Sequence, residues 1–140
     1  MLCYVSLIFS EGDVIQISDE QMGEIRAIAS TFENLKCVEC AQAIQDYLLS
    51  QGIPAKRIKL YTGDAIEWDS RIYDDSVPGD AISLNGRQEG IAIVINGIET
   101  VFDNHHPDGL PRDEWMGNLQ FHSKILYGYQ FQVTEEDLTK

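Results

Sequence analysis

Phe32-Glu33-Asn34-Leu35-Lys36-Cys37-Val38-Glu39-Cys40-Ala41-Gln42-Ala43-Ile44 is the stretch from which the fold is read. From Cys37, apolar or sulfur side chains recur at Cys40, Ala41, Ile44, Tyr47 and Leu48. That is the i, i+3, i+4, i+7 pattern of one buried helical face. A helix is predicted from Cys37 to about Gln51, with Gly52 as its stop. Cys37 heads the stripe, where the positive end of the helix dipole and the unpaired N–H groups of the first turn favour a thiolate. Taken alone, Cys37-Val38-Glu39-Cys40 admits four readings: a redox pair, half of a metal site, two packed thiols, or a nucleophile with a packing residue one turn on.

Working outward, Ser18 and Gln21 form a predicted capping box ahead of Met22, Ile25, Ile28 and Ala29. A first helix is therefore expected from about Asp19 to Thr31. Val14 to Ile17 and the apolar start, Met1 to Phe9, read as a short strand and as a strand or packed arm. Downstream, Arg57-Ile58-Lys59-Leu60-Tyr61 alternates like a half-exposed strand. Asp69 to Asp80 reads as the longest loop, and Ala81 to Leu84 as a short strand entering an Asn85-Gly86 turn. The run Gly90 to Ile95, then Asn96-Gly97, then Ile98 to Phe102 predicts a hairpin on a type I′ turn, with its first strand buried on both faces. Asp103 to Gly109 reads as a polar loop, Pro111 to Trp115 as the start of a short helix, and Tyr127 to Val133 as the last strand.

The chain has 140 residues, 44% of them hydrophobic, which suits one domain with a substantial core. With 23 acidic against 10 basic residues, its net charge of −13 repels phosphate backbones, so nucleic acid is excluded as a partner. The apolar start lacks a basic flank and is too short to span a bilayer, so no membrane partner is expected. Cys3, Cys37 and Cys40 make an odd number, favouring free thiols over a disulfide framework.

From about Phe32 to Trp115 the sequence resembles the papain-fold toxin domain of bacterial polymorphic toxin systems, within the papain-like cysteine peptidase superfamily. The matching residues are Cys37-Val38-Glu39-Cys40-Ala41, Gly52-Ile53, Asn85-Gly86, and Val101-Phe102-Asp103-Asn104 followed by Gly109 and Trp115. The resemblance implies an α+β, papain-like fold, with N-terminal helices and the cysteine helix packed on an antiparallel sheet. It implies a cysteine that attacks an amide or acyl carbonyl, a histidine as base, and an Asp or Asn that orients it. Cys37 then stands as the nucleophile and Asp103 as the orienting group, with Asn104 as its understudy. The family pattern has histidine two residues after the Gly of Asn85-Gly86, and here that position is Gln88. A glutamine amide takes no proton near neutral pH, and losing the base of such a unit costs on the order of 10⁴ to 10⁶ in rate. His105 is the candidate substitute base, although loop histidines beside Asp and Asn are more often solvated turn residues.

The expectation is one papain-like domain over 1–140, comprising an arm and helix (1–31), a core (32–133) and an acidic tail (134–140). Its function would be that of a toxin effector acting on protein amide bonds as peptidase or deamidase, weakened by Gln88. The alternatives are a catalytically dead interaction module and a thiol redox protein. No cofactor and no metal are expected. The partners would be a protein substrate or a cognate immunity protein, met in the cytoplasm or after delivery into a target cell.

Overall fold

The computed structural model describes residues 16–63 and 70–138. Two helices come first. Helix α1 (Asp19–Ser30) opens on the expected capping box, with Ser18 and Gln21 exchanging side-chain and backbone hydrogen bonds of 3.0 Å each. Helix α2 (Cys37–Gln51) ends at Gly52 and buries Cys37, Cys40, Ala41, Ile44 and Leu48, the predicted stripe. Then follow β1 (Lys56–Tyr61), β2 (Tyr73–Asp74), β3 (Arg87–Ile95), β4 (Ile98–Asp103) and β5 (His106–Pro111). The chain continues through α3 (Arg112–Asn118), β6 (Leu119–Gln120), α4 (His122–Tyr127) and β7 (Gln132–Asp137). Five strands form one antiparallel sheet in the order β5-β4-β3-β1-β7, and β2 pairs with β6 apart from it. The α+β reading with the cysteine helix packed on an antiparallel sheet holds.

The sheet separates two apolar layers. On one face Ile91, Ile93 and Phe102 meet Ile25, Ala29, Cys40, Ala41, Ile44 and Leu48 of the helices. On the other, Ala92 and Val101 meet Trp115, Leu119, Phe121 and Phe131. This double cover is why β3 reads as a continuous apolar run. The β3–β4 turn has Asn96 at φ 52° and Gly97 at φ 80°, the pair of positive angles that a type I′ turn needs. Gly90 serves a different purpose: a Cβ there would lie 2.7 Å from Val101 Cγ1 and 2.9 Å from Trp115 Cζ2. Its missing side chain lets the indole lie against the strand.

Several local expectations need correction. Strand β1 is more buried than the half-exposed strand expected, because it lies between β3 and β7 and its Arg57 is turned toward α2. There Arg57 is only 7% exposed; it pairs with Glu89 at 2.7 Å and donates to Gln42 and Gln45 at 2.8 Å each. Ala81 to Leu84 forms no strand, only the Ile72–Ser83 bridge. Strand β3 begins at Arg87, before the apolar run, which places Gln88 within the sheet. The polar stretch after Asp103 is mostly not a loop: it turns at Asn104-His105 and returns as edge strand β5, a position that tolerates Pro107 and Pro111.

The last strand also starts later than expected, since Tyr127 ends α4 and β7 begins at Gln132. The acidic residues from Thr134, read as a tail, run to Asp137 as part of this strand. Their charges are matched across the sheet by Lys56–Glu135 (3.4 Å) and Lys59–Glu136 (3.0 Å). Trp68, Cys3, the apolar start and half of the Val14 to Ile17 segment (Val14 and Ile15) lie outside the described residues. Among the described residues no helix is long and apolar enough to cross a membrane.

Candidate functional site

The loop into α2 is held by its neighbours. Asn34 Nδ2 donates to the Ala81 carbonyl at 3.0 Å, and Asn104 Nδ2 donates to the Glu33 carbonyl at 2.8 Å. Leu35 adopts φ 73°, the left-handed region, two residues before Cys37. For a leucine that conformation costs about 1–2 kcal/mol and persists only where the surroundings fix it. The α2 N-terminus has Lys36 as its cap residue and no side-chain capping bond. The thiol is thus delivered by a constrained turn to the start of β3, the central strand of the sheet.

Beside it, β3 and β4 bring together two residues far apart in sequence. Gln88 is fully buried, and its Nε2 donates to Asp103 Oδ2 at 3.1 Å. A carboxylate only accepts, so the amide must present its NH₂ end to Asp103 and leave Oε1 on the other side. That Oε1 has no hydrogen-bond partner among the described residues, and neither does the buried Asn104 Oδ1. Asp103 Oδ2 also accepts from Trp115 Nε1 at 2.8 Å, and Oδ1 accepts from the His105 backbone N–H at 2.9 Å. Gln88 therefore makes toward Asp103 the bond that a neutral imidazole N–H would make. What it lacks is a nitrogen that can take a proton.

The thiol responds to its burial. Desolvation pushes the Cys37 pKa up to about 11; the Glu89 backbone N–H pulls the other way, and the Glu89, Asp103 and Glu39 carboxylates push it further up. No histidine is among these influences. The bond from the Glu89 backbone N–H places the thiol alongside β3, one residue beyond Gln88. The expectation that the helix N-terminus yields a thiolate is thus corrected: burial and three carboxylates outweigh it. Cys40 is fully buried and, by desolvation first, pushed up to about 12. Cys37 and Cys40 are both free thiols.

The histidines are engaged elsewhere. His105 Nε2 meets Asn34 Oδ1 at 2.8 Å, which ties the β4–β5 turn to the loop ahead of Cys37. His106 Nε2 meets Asp74 Oδ2 at 2.8 Å, and Ser76 Oγ donates to Asp74 Oδ1 at 2.6 Å. Burial alone would lower the His106 pKa, but the bond to Asp74 and the Asp103, Asp74 and Glu114 carboxylates raise it above 6.5. Burial alone would raise that of Asp74, but the bonds from His106 and Ser76 hold it below 3.8. The raised histidine stabilises the fold fully below its unfolded value and loses that contribution as pH rises through its folded one. The depressed carboxylate contributes above its unfolded value and loses it as pH falls through its folded one. Chemical unfolding of the chain and of Asp74→Asn should therefore differ most between about pH 4 and 6, the gap narrowing on either side. A gap independent of pH would contradict the pairing.

A cleft of about 220 Å³ opens at Cys37, lined also by Leu35, Val38, Ile82, Leu84, Asn85 and Arg87. A second, of about 370 Å³, shares Leu35 and Leu84 with it and continues past Arg71, Tyr73 and Asp80. Sequence reasoning did not find the Trp115–Asp103 bond or the Arg57–Glu89 pair beneath α2. The first had no signal beyond a tryptophan near the second motif. The second showed only as charges on one face of β1.

A family model described as papain fold toxin 2 matches residues 20–120. Searches of the curated proteins and of the solved structures each found no match. The matched span contains Cys37, Gln88, Asp103, Asn104, His105 and Trp115.

Proposed function

The chain belongs to the papain fold toxin 2 family, and from that premise we propose that it is an effector whose papain-like site, formed by Cys37, Gln88 and Asp103, engages protein chains without appreciable hydrolysis. The observation that carries this reading is the 3.1 Å bond by which Gln88 holds Asp103 beside a thiol pushed up to about 11. In amide cleavage by such a site, the sulfur's proton passes to an imidazole as sulfur attacks the carbonyl carbon. The carbon–nitrogen bond then breaks as the amine takes that proton. Gln88 keeps the orientation of the base residue toward Asp103 but accepts no proton, so the thiol stays protonated and the first transfer fails. Glu89 does not replace it, because its carboxylate is committed to Arg57 at 2.7 Å. Asn104 and His105 fasten the loop that carries Cys37 and are assigned positioning roles. Amide hydrolysis and glutamine deamidation are therefore lost while the cleft is kept, which suits a module that binds a protein target or an immunity protein. Turnover of fluorogenic peptide amides and mass-spectrometric deamidation of a glutamine-containing protein test this. The unmodified chain and Cys37→Ala should be indistinguishable; turnover that disappears in Cys37→Ala would make the protein a working hydrolase.

A further inference from the structure

Cations in this acidic chain are mostly spoken for. Arg26, Lys56, Arg57, Lys59 and Arg112 each form ion pairs with carboxylates. Lys124 donates to the Met116 and Leu119 carbonyls. Among the described residues, those left without such a partner are Lys36, Arg71 and Arg87, and they share one location. Arg87 lines the cleft at Cys37, Arg71 lines its continuation, and Lys36 directly precedes Cys37. Arg87 is also fixed in place, its guanidinium 4.0 Å from the centre of the Tyr61 ring. Between the arginines the two clefts meet at Leu35 and Leu84, which are 46% and 57% exposed. A large exposed apolar side chain within a cleft commonly marks a binding surface.

Resting on the reading of the site given above, we propose that the joined clefts bind an extended acidic segment of a partner protein. An apolar side chain of that segment sits against Leu35 and Leu84, and its flanking carboxylates meet Arg71 and Arg87. The net charge of −13 works against an acidic partner at long range. Screening confines that repulsion to about 8 Å at physiological salt, while guanidinium–carboxylate contacts form at hydrogen-bond distance. Asp80, the carboxylate in the outer cleft, forms no ion pair with either arginine and restricts where the segment's negative charges can lie. Among the residues that line the joined clefts, the charged ones are two unpaired arginines and one carboxylate, which opposes a basic segment.

The test is fluorescence anisotropy with two labelled peptides, each with a central leucine, one flanked by aspartate and glutamate and the other by lysine. The acidic peptide should bind about tenfold tighter, and Arg71→Ala with Arg87→Ala should weaken it by about tenfold while leaving the lysine peptide no weaker. Circular dichroism establishes that the double variant is folded, and the comparison of two peptides on the unmodified chain needs no variant. Equal binding of both peptides, preference for lysine, or absence of binding overturns the proposal. The reading of the site is tested separately by turnover in the unmodified chain and Cys37→Ala. Inert turnover with no acidic preference sinks the peptide proposal alone, whereas Cys37-dependent turnover with acidic preference sinks the non-hydrolytic reading alone.

Discussion

Gln88→His is expected to raise the alkylation rate of Cys37 by iodoacetamide at neutral pH by about 10³-fold. A thiol held at about 11 is ionised in roughly one molecule in 10⁴ at pH 7, and the thiolate is the reacting form. The replacement imidazole inherits a prepared position: Asp103 Oδ2 already accepts a hydrogen bond at 3.1 Å from the side chain at 88. With its Nδ1–H on Asp103, the ring leaves Nε2 free to take the sulfur's proton, and the resulting imidazolium offsets the carboxylates that now oppose ionisation. Adding Asp103→Ala to Gln88→His should remove most of the gain, because the ring loses the group that orients it. Peptide mapping by mass spectrometry measures the rate at Cys37, with Cys40 as an internal buried comparison. A Gln88→His variant no more reactive than the parent would show that position 88 does not face the thiol in a productive way.

Trp115→Ala is expected to destabilise the fold by about 5 kcal/mol, the largest stability effect of a single truncation at this site. The indole is fully buried against Gly90 and Val101, so its removal opens a cavity in the layer opposite the helices. It also withdraws a donor 2.8 Å from the buried Asp103 carboxylate, leaving Oδ2 with the Gln88 amide alone. Trp115→Phe separates the two contributions, since it keeps most of the packing and removes the N–H; a loss of about 1–3 kcal/mol is expected for it. Urea unfolding measures both. If the two variants were equally stable, packing against Gly90 would carry little energy; if Trp115→Phe matched the parent, the bond to Asp103 would.

What was legible in the sequence follows from how local each signal is. The capping box at Ser18, the stripe from Cys37 and the Asn96-Gly97 turn are set by residues within a few positions of one another, and each matches the structure closely. The polar segments misread as loop and tail lie on the edges of the sheet, where backbone pairing does not demand apolar side chains. His106 to Pro111 and Thr134 to Asp137 therefore carried no strand pattern. At the site, the motifs singled out Cys37, Gln88 and Asp103, and the last two are hydrogen-bonded to each other, but the motifs did not reveal the balance of forces on the thiol. The helix terminus argued for ionisation from local sequence alone. Burial against the central strand β3 and the proximity of the Glu89 and Asp103 carboxylates depend on contacts between distant segments, and they reverse the sign.

The central claim is that Cys37 of the unmodified chain is a protonated, base-less thiol. The most direct measurement is the pH dependence of Cys37 alkylation in that chain. A rate that climbs throughout the alkaline range toward a midpoint near 11 is the predicted result. A plateau reached at or below neutral pH would mean a thiolate already paired with a base, and would contradict it.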